Sequence, residues 1–178
     1  MELSDDAKRH LRLQDYSPKR KIDGVEVVEL ARHTDDGGAF TELGRFKAGA
    51  SAAFPGFVLA QVNYSEIEPG TIKAFHLHRT QTDIWYVPPG DKVLLVLIDV
   101  RSGAATQGVR MRLVLGDGHS RVVRIPPGVA HGCRNLGQAR SRIIYFTDTH
   151  FSPAPESCDE GRLPWDFAGP DLWEPARE

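Results

Sequence analysis

The chain has 178 residues, 40% of them hydrophobic, and a formal net charge of −2, which suits one domain with a sizeable core. No apolar run reaches the roughly 18 residues of a membrane helix, and the polar start MELSDDAKRHLRLQDYSPKRK lacks the apolar stretch of a secretory leader. Charges of both signs are interspersed, with no basic run or aromatic-plus-basic platform, so neither a membrane nor a nucleic-acid partner is expected.

In chain order, residues 1–21 form a polar N-terminal extension whose segment Ala7–Leu13 is predicted as a short helix. From residue 22 onward β-rich runs take over: GVEVVEL (24–30), GFVLAQVNYSEI (56–67), DIWYV (83–87), KVLLVLIDV (92–100), VRMRLVL (109–115), SRVVRI (120–125) and SRIIYFTD (141–148). Turn signals separate them at Asp36-Gly37-Gly38, Pro69-Gly70, Pro89-Gly90, Gly116-Asp117-Gly118 and Pro127-Gly128. Many short strands at this spacing predict a sandwich or barrel over residues 22–150 rather than βαβ units. VLLVLI is apolar on both faces and is expected to lie centrally between two sheets. Cys133 and Cys158 are too few for a disulfide framework and point to reduced thiols in a cytoplasmic protein. Residues 151–178 are proline-rich and carry Trp165 and Trp173, which predicts a coil packed back on the barrel.

One stretch, KAFHLHRTQTD (73–83), carries chemistry. Strand alternation sends His76 and His78 to one face and Phe75 and Leu77 to the other. Gly70, His76, His78, Asp83 and Gly90 follow one another at intervals of five, one, four and six residues; downstream, Pro126-Pro127-Gly128 leads to His131 and Asn135. These two spacings resemble the two motifs of the cupin superfamily. Asp83 stands where that superfamily usually has Glu, and Ser120 where its second motif has Gly. The resemblance implies an all-β fold, a double-stranded β-helix (jelly-roll) barrel, with His131 meeting the histidine pair in the lumen. Two roles compete there, because a nitrogen that coordinates a metal cannot also accept a proton. His76, His78, Asp83 and His131 are an adequate ligand set for a divalent transition metal; alternatively one histidine is a base.

A wider window resembles the dTDP-4-dehydrorhamnose 3,5-epimerase family, a cupin-fold family that normally works without a metal. DVRSGAATQG (99–108), RIPPGVAHG (124–132), Ile144-Tyr145, QVNYS (61–65), TDDGGAFTE (34–42) and GTIKAFHLH (70–78) fall in that family's order over roughly residues 22–173. By that resemblance His76 is the base that removes a proton beside a ketone, and Tyr145 is the acid that returns one to the opposite ring face. His131 and Lys73 are the implied stabilisers of the enolate between the two steps. Gln61, Asn63 and Glu42 are implied to line the sugar and nucleotide pocket. The family's arginine before the base is Lys73 here, and its lysine downstream of the base falls near Asp83 or Ile84. The carboxylate that orients the base has Asp166, Asp171 or Glu174 as its available counterparts. Family members usually form homodimers in which an N-terminal strand reaches the partner's pocket, a part that falls to Phe40 and Glu42. The main reading is therefore a cofactor-free nucleotide-sugar epimerase. A metal-dependent cupin enzyme (a dioxygenase or isomerase) and a non-catalytic sugar-binding barrel are its alternatives.

Overall fold

The structure is a computed structural model and describes residues 1–175. It begins with helix α1 (Asp5–His10), fully exposed and capped by Ser4, whose Oγ accepts from the Ala7 N–H at 3.3 Å. Helix α1 starts before the predicted span and ends before it, because the cap lies at Ser4. Strands then follow in chain order: β1 (Glu26–Glu29), β2 (Arg32–Asp35), β3 (Gly38–Thr41), β4 (Phe46–Lys47), β5 (Ala50–Ser51), β6 (Gln61–Ile67), β7 (Ile72–Leu77) and β8 (Asp83–Tyr86). The remainder are β9 (Lys92–Asp99), β10 (Arg110–Gly116), β11 (Arg121–Ile125), β12 (Val129–Asn135), β13 (Ser141–Thr147) and β14 (Gly161–Arg162), with a 3₁₀ turn at Pro170–Trp173.

Two five-stranded antiparallel sheets, ordered β1-β11-β8-β13-β6 and β10-β9-β12-β7-β14, make the jelly roll. Every predicted β-rich run contains a strand. The β2–β3 hairpin stands apart as its own two-stranded sheet. Strand β12 carries a weak β pattern, since VAHGCRN mixes glycine and polar residues. It is held by pairing with β9 on one side and β7 on the other, and six of its seven residues are buried.

The core lies between the two sheets, where Val93, Leu95 and Leu97 of β9 meet Trp85, Val123, Ile125 and Ile143. The opposite face of β9 corrects the expectation for VLLVLI. Leu94, Val96 and Ile98 pack on Phe75, Leu172 and Trp173, so the second cover is the C-terminal segment rather than another sheet. Trp173 is fully buried, its ring 5.2 Å from Phe75, and its Nε1 donates to the Trp165 carbonyl at 2.8 Å. Burying an aromatic pair of this size is worth several kcal/mol, which holds the end of the C-terminal segment on the outer face of β9 and β7. Residues 176–178 lie outside the described residues.

Candidate active site

The register of β7 against β12 builds the site. His76 sits opposite His131, and the next pair joins Lys73 to Cys133. That is two steps along β12 and three along β7, so β7 carries one extra residue. The bulge breaks strict alternation. Lys73 and Ala74 consequently line the same cavity as His76 and His78, while Phe75 turns outward to Trp173. Gly132 permits the close approach, because a Cβ there would collide with the Cβ of Ala74.

The cavity, of about 690 Å³, is walled on one side by His76, His131 and Lys73 and on the other by Trp85 and Tyr145. The rings of His76 and His131 lie stacked with centroids 5.8 Å apart. Strand β14 seals the edge of β7 by pairing Arg162 with His76 and Gly161 with Leu77. Two side chains missed by sequence reasoning arrive with it. Glu160 Oε1 lies 2.6 Å from His76 Nδ1, and Arg162 Nη1 lies 2.6 Å from His76 Nε2. A guanidinium can only donate, so Nε2 accepts and Nδ1 carries the proton given to Glu160. Glu160 also pairs with Arg162 Nη2 at 3.0 Å, closing a three-residue ring.

The carboxylate beside the base is therefore Glu160, which corrects the assignment to Asp166, Asp171 or Glu174. None of those three contacts His76 among the described residues; Glu174 instead pairs with Arg134 at 3.2 Å on the outer surface. The motif holding the two missed groups, DEGR (159–162), lies within the proline-rich tail, where only its charge density among prolines marks it. Asp159 anchors that stretch by accepting from the backbone N–H groups of Arg79, Thr80 and Gln81, each at 2.9 Å. Although burial opposes it, these bonds hold Asp159 well below the usual carboxylate range.

Electrostatics at His76 favour a neutral ring. Burial lowers its pKa below 6.5, with the charges of His131 and Arg162 in the same direction, against the opposing pull of Glu160. Glu160 in turn is held below 4.5, chiefly by its hydrogen bond with His76.

Deeper in the lumen, His78 and His131 direct Nδ1 to backbone oxygens, Asp159 O at 2.8 Å and Val129 O at 3.1 Å. Their Nε2 atoms face the buried Asp83 at 4.0 and 3.5 Å. His78, Asp83 and His131 bring ligand atoms within 4.8 Å of one another. The fourth member of the expected ligand set, His76, is not part of that group; its free nitrogen faces a guanidinium, which repels a cation. The oxygens of Asp83 already accept from Gln81 Nε2 at 2.7 Å and Trp85 Nε1 at 3.0 Å, and the same Gln81 amide lies 3.3 Å from His78 Nε2. Asp83 and His78 Nε2 thus have hydrogen-bond partners within the protein, whereas His131 Nε2 faces Asp83 at 3.5 Å.

Tyr145, paired across β13 with Trp85 and Asn63, is half-buried and lines the cavity; its hydroxyl has no hydrogen-bond partner among the described residues. Burial first, then Asp83 and Glu160, raise its pKa above 10, which keeps the phenol protonated. Gln61 and Asn63 line an adjoining cavity of about 270 Å³ that Tyr145 and Glu160 share. They are bonded to each other at 2.6 Å, and Gln61 Oε1 accepts from Phe151 N at 3.0 Å. Lys73 reaches the far rim, donating to the Glu66 carbonyl at 3.1 Å. Phe40 and Glu42 are not brought to the cavity within one protomer. Phe40 is 64% exposed on the separate hairpin, and Glu42 pairs with Arg45 at 2.9 Å.

The sequence profile of dTDP-4-dehydrorhamnose 3,5-epimerase matches residues 19–165. The chain is 41% identical over 145 residues, covering 82% of itself and 91% of its relative, to the spore coat polysaccharide biosynthesis protein SpsL of Bacillus subtilis strain 168. Among solved structures it resembles the dTDP sugar isomerase of Desulfovibrio desulfuricans G20, with a TM-score of 0.71 and 26% identity over 85% of this chain and 95% of that one. It also resembles dTDP-6-deoxy-D-glucose-3,5-epimerase RmlC of Legionella pneumophila Philadelphia 1 in complex with dTDP-4-keto-L-rhamnose. There the TM-score is 0.64 and the identity 26%, over 76% of this chain and 72% of that one.

Proposed function

Because the chain belongs to the dTDP-4-dehydrorhamnose 3,5-epimerase family, an enzyme family, we propose that it inverts a carbon beside the ketone of a dTDP-4-keto-6-deoxyhexose. His76 acts as base and Tyr145 as acid. A ketone acidifies the C–H bonds on its neighbouring carbons. His76 Nε2 takes that proton, the C–H electron pair becomes the enolate double bond, and the new imidazolium is stabilised by Glu160 through Nδ1–H. Tyr145 then gives its hydroxyl proton to the opposite face of the same carbon, and both side chains re-equilibrate with solvent.

The observation that carries this reading is the Glu160–His76 contact of 2.6 Å. It commits Nδ1 to a carboxylate and leaves Nε2 as the accepting atom, in a cavity that Tyr145 also lines. The reaction proposed needs no metal or cofactor, in keeping with a base nitrogen that faces Arg162. The sugar and nucleotide extend over Gln61, Asn63 and Lys73. The exposed hairpin bearing Phe40 supports a homodimer in which it covers the partner's pocket together with Glu42, and sedimentation equilibrium at twice the chain mass tests that part. Two free cysteines agree with a cytoplasmic setting. No helix among the described residues is long and apolar enough to cross a membrane.

The test is solvent exchange. In heavy water, deuterium enters the carbon beside the ketone of dTDP-4-keto-L-rhamnose or its unepimerised precursor, and His76→Asn abolishes the entry. A protein that binds these sugars without any exchange is a binding module, and the proposal fails.

A further inference from the structure

Arg162 has a position that the acid–base pair alone does not explain. Its guanidinium occupies the lone pair of the base, 2.6 Å from His76 Nε2. While it stays there, the nitrogen cannot take a proton from carbon. The side chain is 58% exposed and leaves a two-residue strand, and its protein partners are His76 and Glu160. Among the described residues its side chain is anchored only at the site itself, so a ligand entering the cavity meets a movable cation directly in front of the base.

Resting on the function proposed above, we propose that Arg162 is a catalytic residue: it caps His76 Nε2 in the free enzyme, yields that nitrogen to the substrate's C–H, and moves its N–H onto the adjacent ketone oxygen. The displacement is one of neighbours. The acidic carbon and the ketone carbon are bonded, so a donor sitting at the proton acceptor is next to the oxygen that becomes negative. Charge requires the move as well. Once His76 gains a proton it is an imidazolium, and a guanidinium left at Nε2 would face a like charge. An enolate oxygen formed in the same step separates the two cations and pairs with Arg162. Glu160 keeps contact with both, through His76 Nδ1 and Arg162 Nη2, and so holds the pair in register during the exchange. The cation that the sequence offers for the enolate, Lys73, is instead turned to the rim. The family's lysine position is occupied by the acidic Asp83 or the apolar Ile84. Strand β14 supplies from the tail what β7 and β8 do not.

The groups facing His76 are Glu160 and Arg162 from β14 and its approach, and His131 from β12. Removing Arg162 takes away one of the positive charges that oppose protonation of His76, so the ring titrates at higher pH.

The experiment compares wild type, Arg162→Met, Arg162→Gln, Arg162→Lys and His76→Asn. The substrate is dTDP-4-keto-L-rhamnose in heavy water, and the His76 ring nitrogens are followed by ¹⁵N NMR without substrate. Loss of one enolate donor lowers kcat for exchange by about 10²- to 10³-fold in Arg162→Met and Arg162→Gln. KM changes little, Arg162→Lys recovers part of the rate, and both neutral variants shift the Nε2 resonance and raise the titration midpoint. Wild-type exchange rates in the neutral variants, with His76→Asn inactive, overturn the role of Arg162 and leave the epimerase reading standing. A higher KM at unchanged kcat overturns it too, because Arg162 would then only bind. If wild type exchanges no keto sugar, the function proposed above fails, and with it the catalytic role; the NMR comparison then decides the cap by itself, and an unmoved Nε2 resonance overturns that.

Discussion

Glu160 and His76 meet at 2.6 Å through Oε1 and Nδ1, although 83 residues lie between them in the chain. This contact selects the tautomer of the base. Replacing Glu160 with Gln keeps the shape but offers an amide that can donate to Nδ1, which would leave the proton on Nε2 and remove the accepting lone pair. Glu160→Gln is expected to lower kcat for solvent exchange by on the order of 10²-fold or more with KM little changed. Steady-state exchange by NMR measures both; an unchanged kcat excludes the tautomer argument.

The pH dependence follows from two directions. A base works when neutral, and His76 is held below its ordinary 6.5, first by burial. The acid limb of kcat/KM in wild type is therefore expected below pH 6.5, with activity retained into mildly acidic buffer. An acid works when protonated, and burial raises Tyr145 above 10. The alkaline limb is expected above pH 10, and Tyr145→Phe removes turnover at every pH. A profile falling below pH 8 on its alkaline side would contradict this assignment.

Cys133 lines the cavity but is 2% exposed, and burial pushes its thiol up to about 12. The thiolate is the reactive form. Iodoacetamide at pH 8 is expected to modify Cys158 in the native protein, while Cys133 reacts only after unfolding. Peptide mass spectrometry of the two states reads the difference. Rapid native labelling of Cys133 would mean that the lumen opens far more than the packing of β12 allows.

Trp173→Ala tests the clamp that carries Glu160 and Arg162 to the site. Truncating a fully buried tryptophan costs about 3–5 kcal/mol, read as a lower midpoint in urea. Because Phe75 loses its partner on the outer face of β7, exchange activity is expected to fall at temperatures where the barrel remains folded. Full activity up to global unfolding would show that the tail positions itself without this contact.

Much of the site was legible in the chain. His76, His78 and Asp83 share a strand-and-turn pattern, His131 follows a Pro-Gly turn at fixed spacing, and Tyr145 ends an aliphatic run; all five line the cavity. His76 and His78 depend on local geometry, in which period-2 alternation decides where a side chain faces, whereas His131 and Tyr145 were found through the family resemblance. Lys73 departs from alternation because of the bulge, for which Gly132 on the neighbouring strand leaves room. Glu160 and Arg162 were not legible, since a two-residue strand has no periodicity to read.

By itself, then, the sequence determined the all-β strand pattern and the shared face of His76 and His78, because each follows from spacing within a few residues; the jelly roll and Tyr145 were carried by the family resemblance. Only the tertiary structure decided what the base touches. Contacts between residues 86 positions apart, such as Arg162 with His76, depend on where burial of Trp173 and the bonds to Asp159 land the tail. That outcome is a sum over distant packing terms, which no local pattern records.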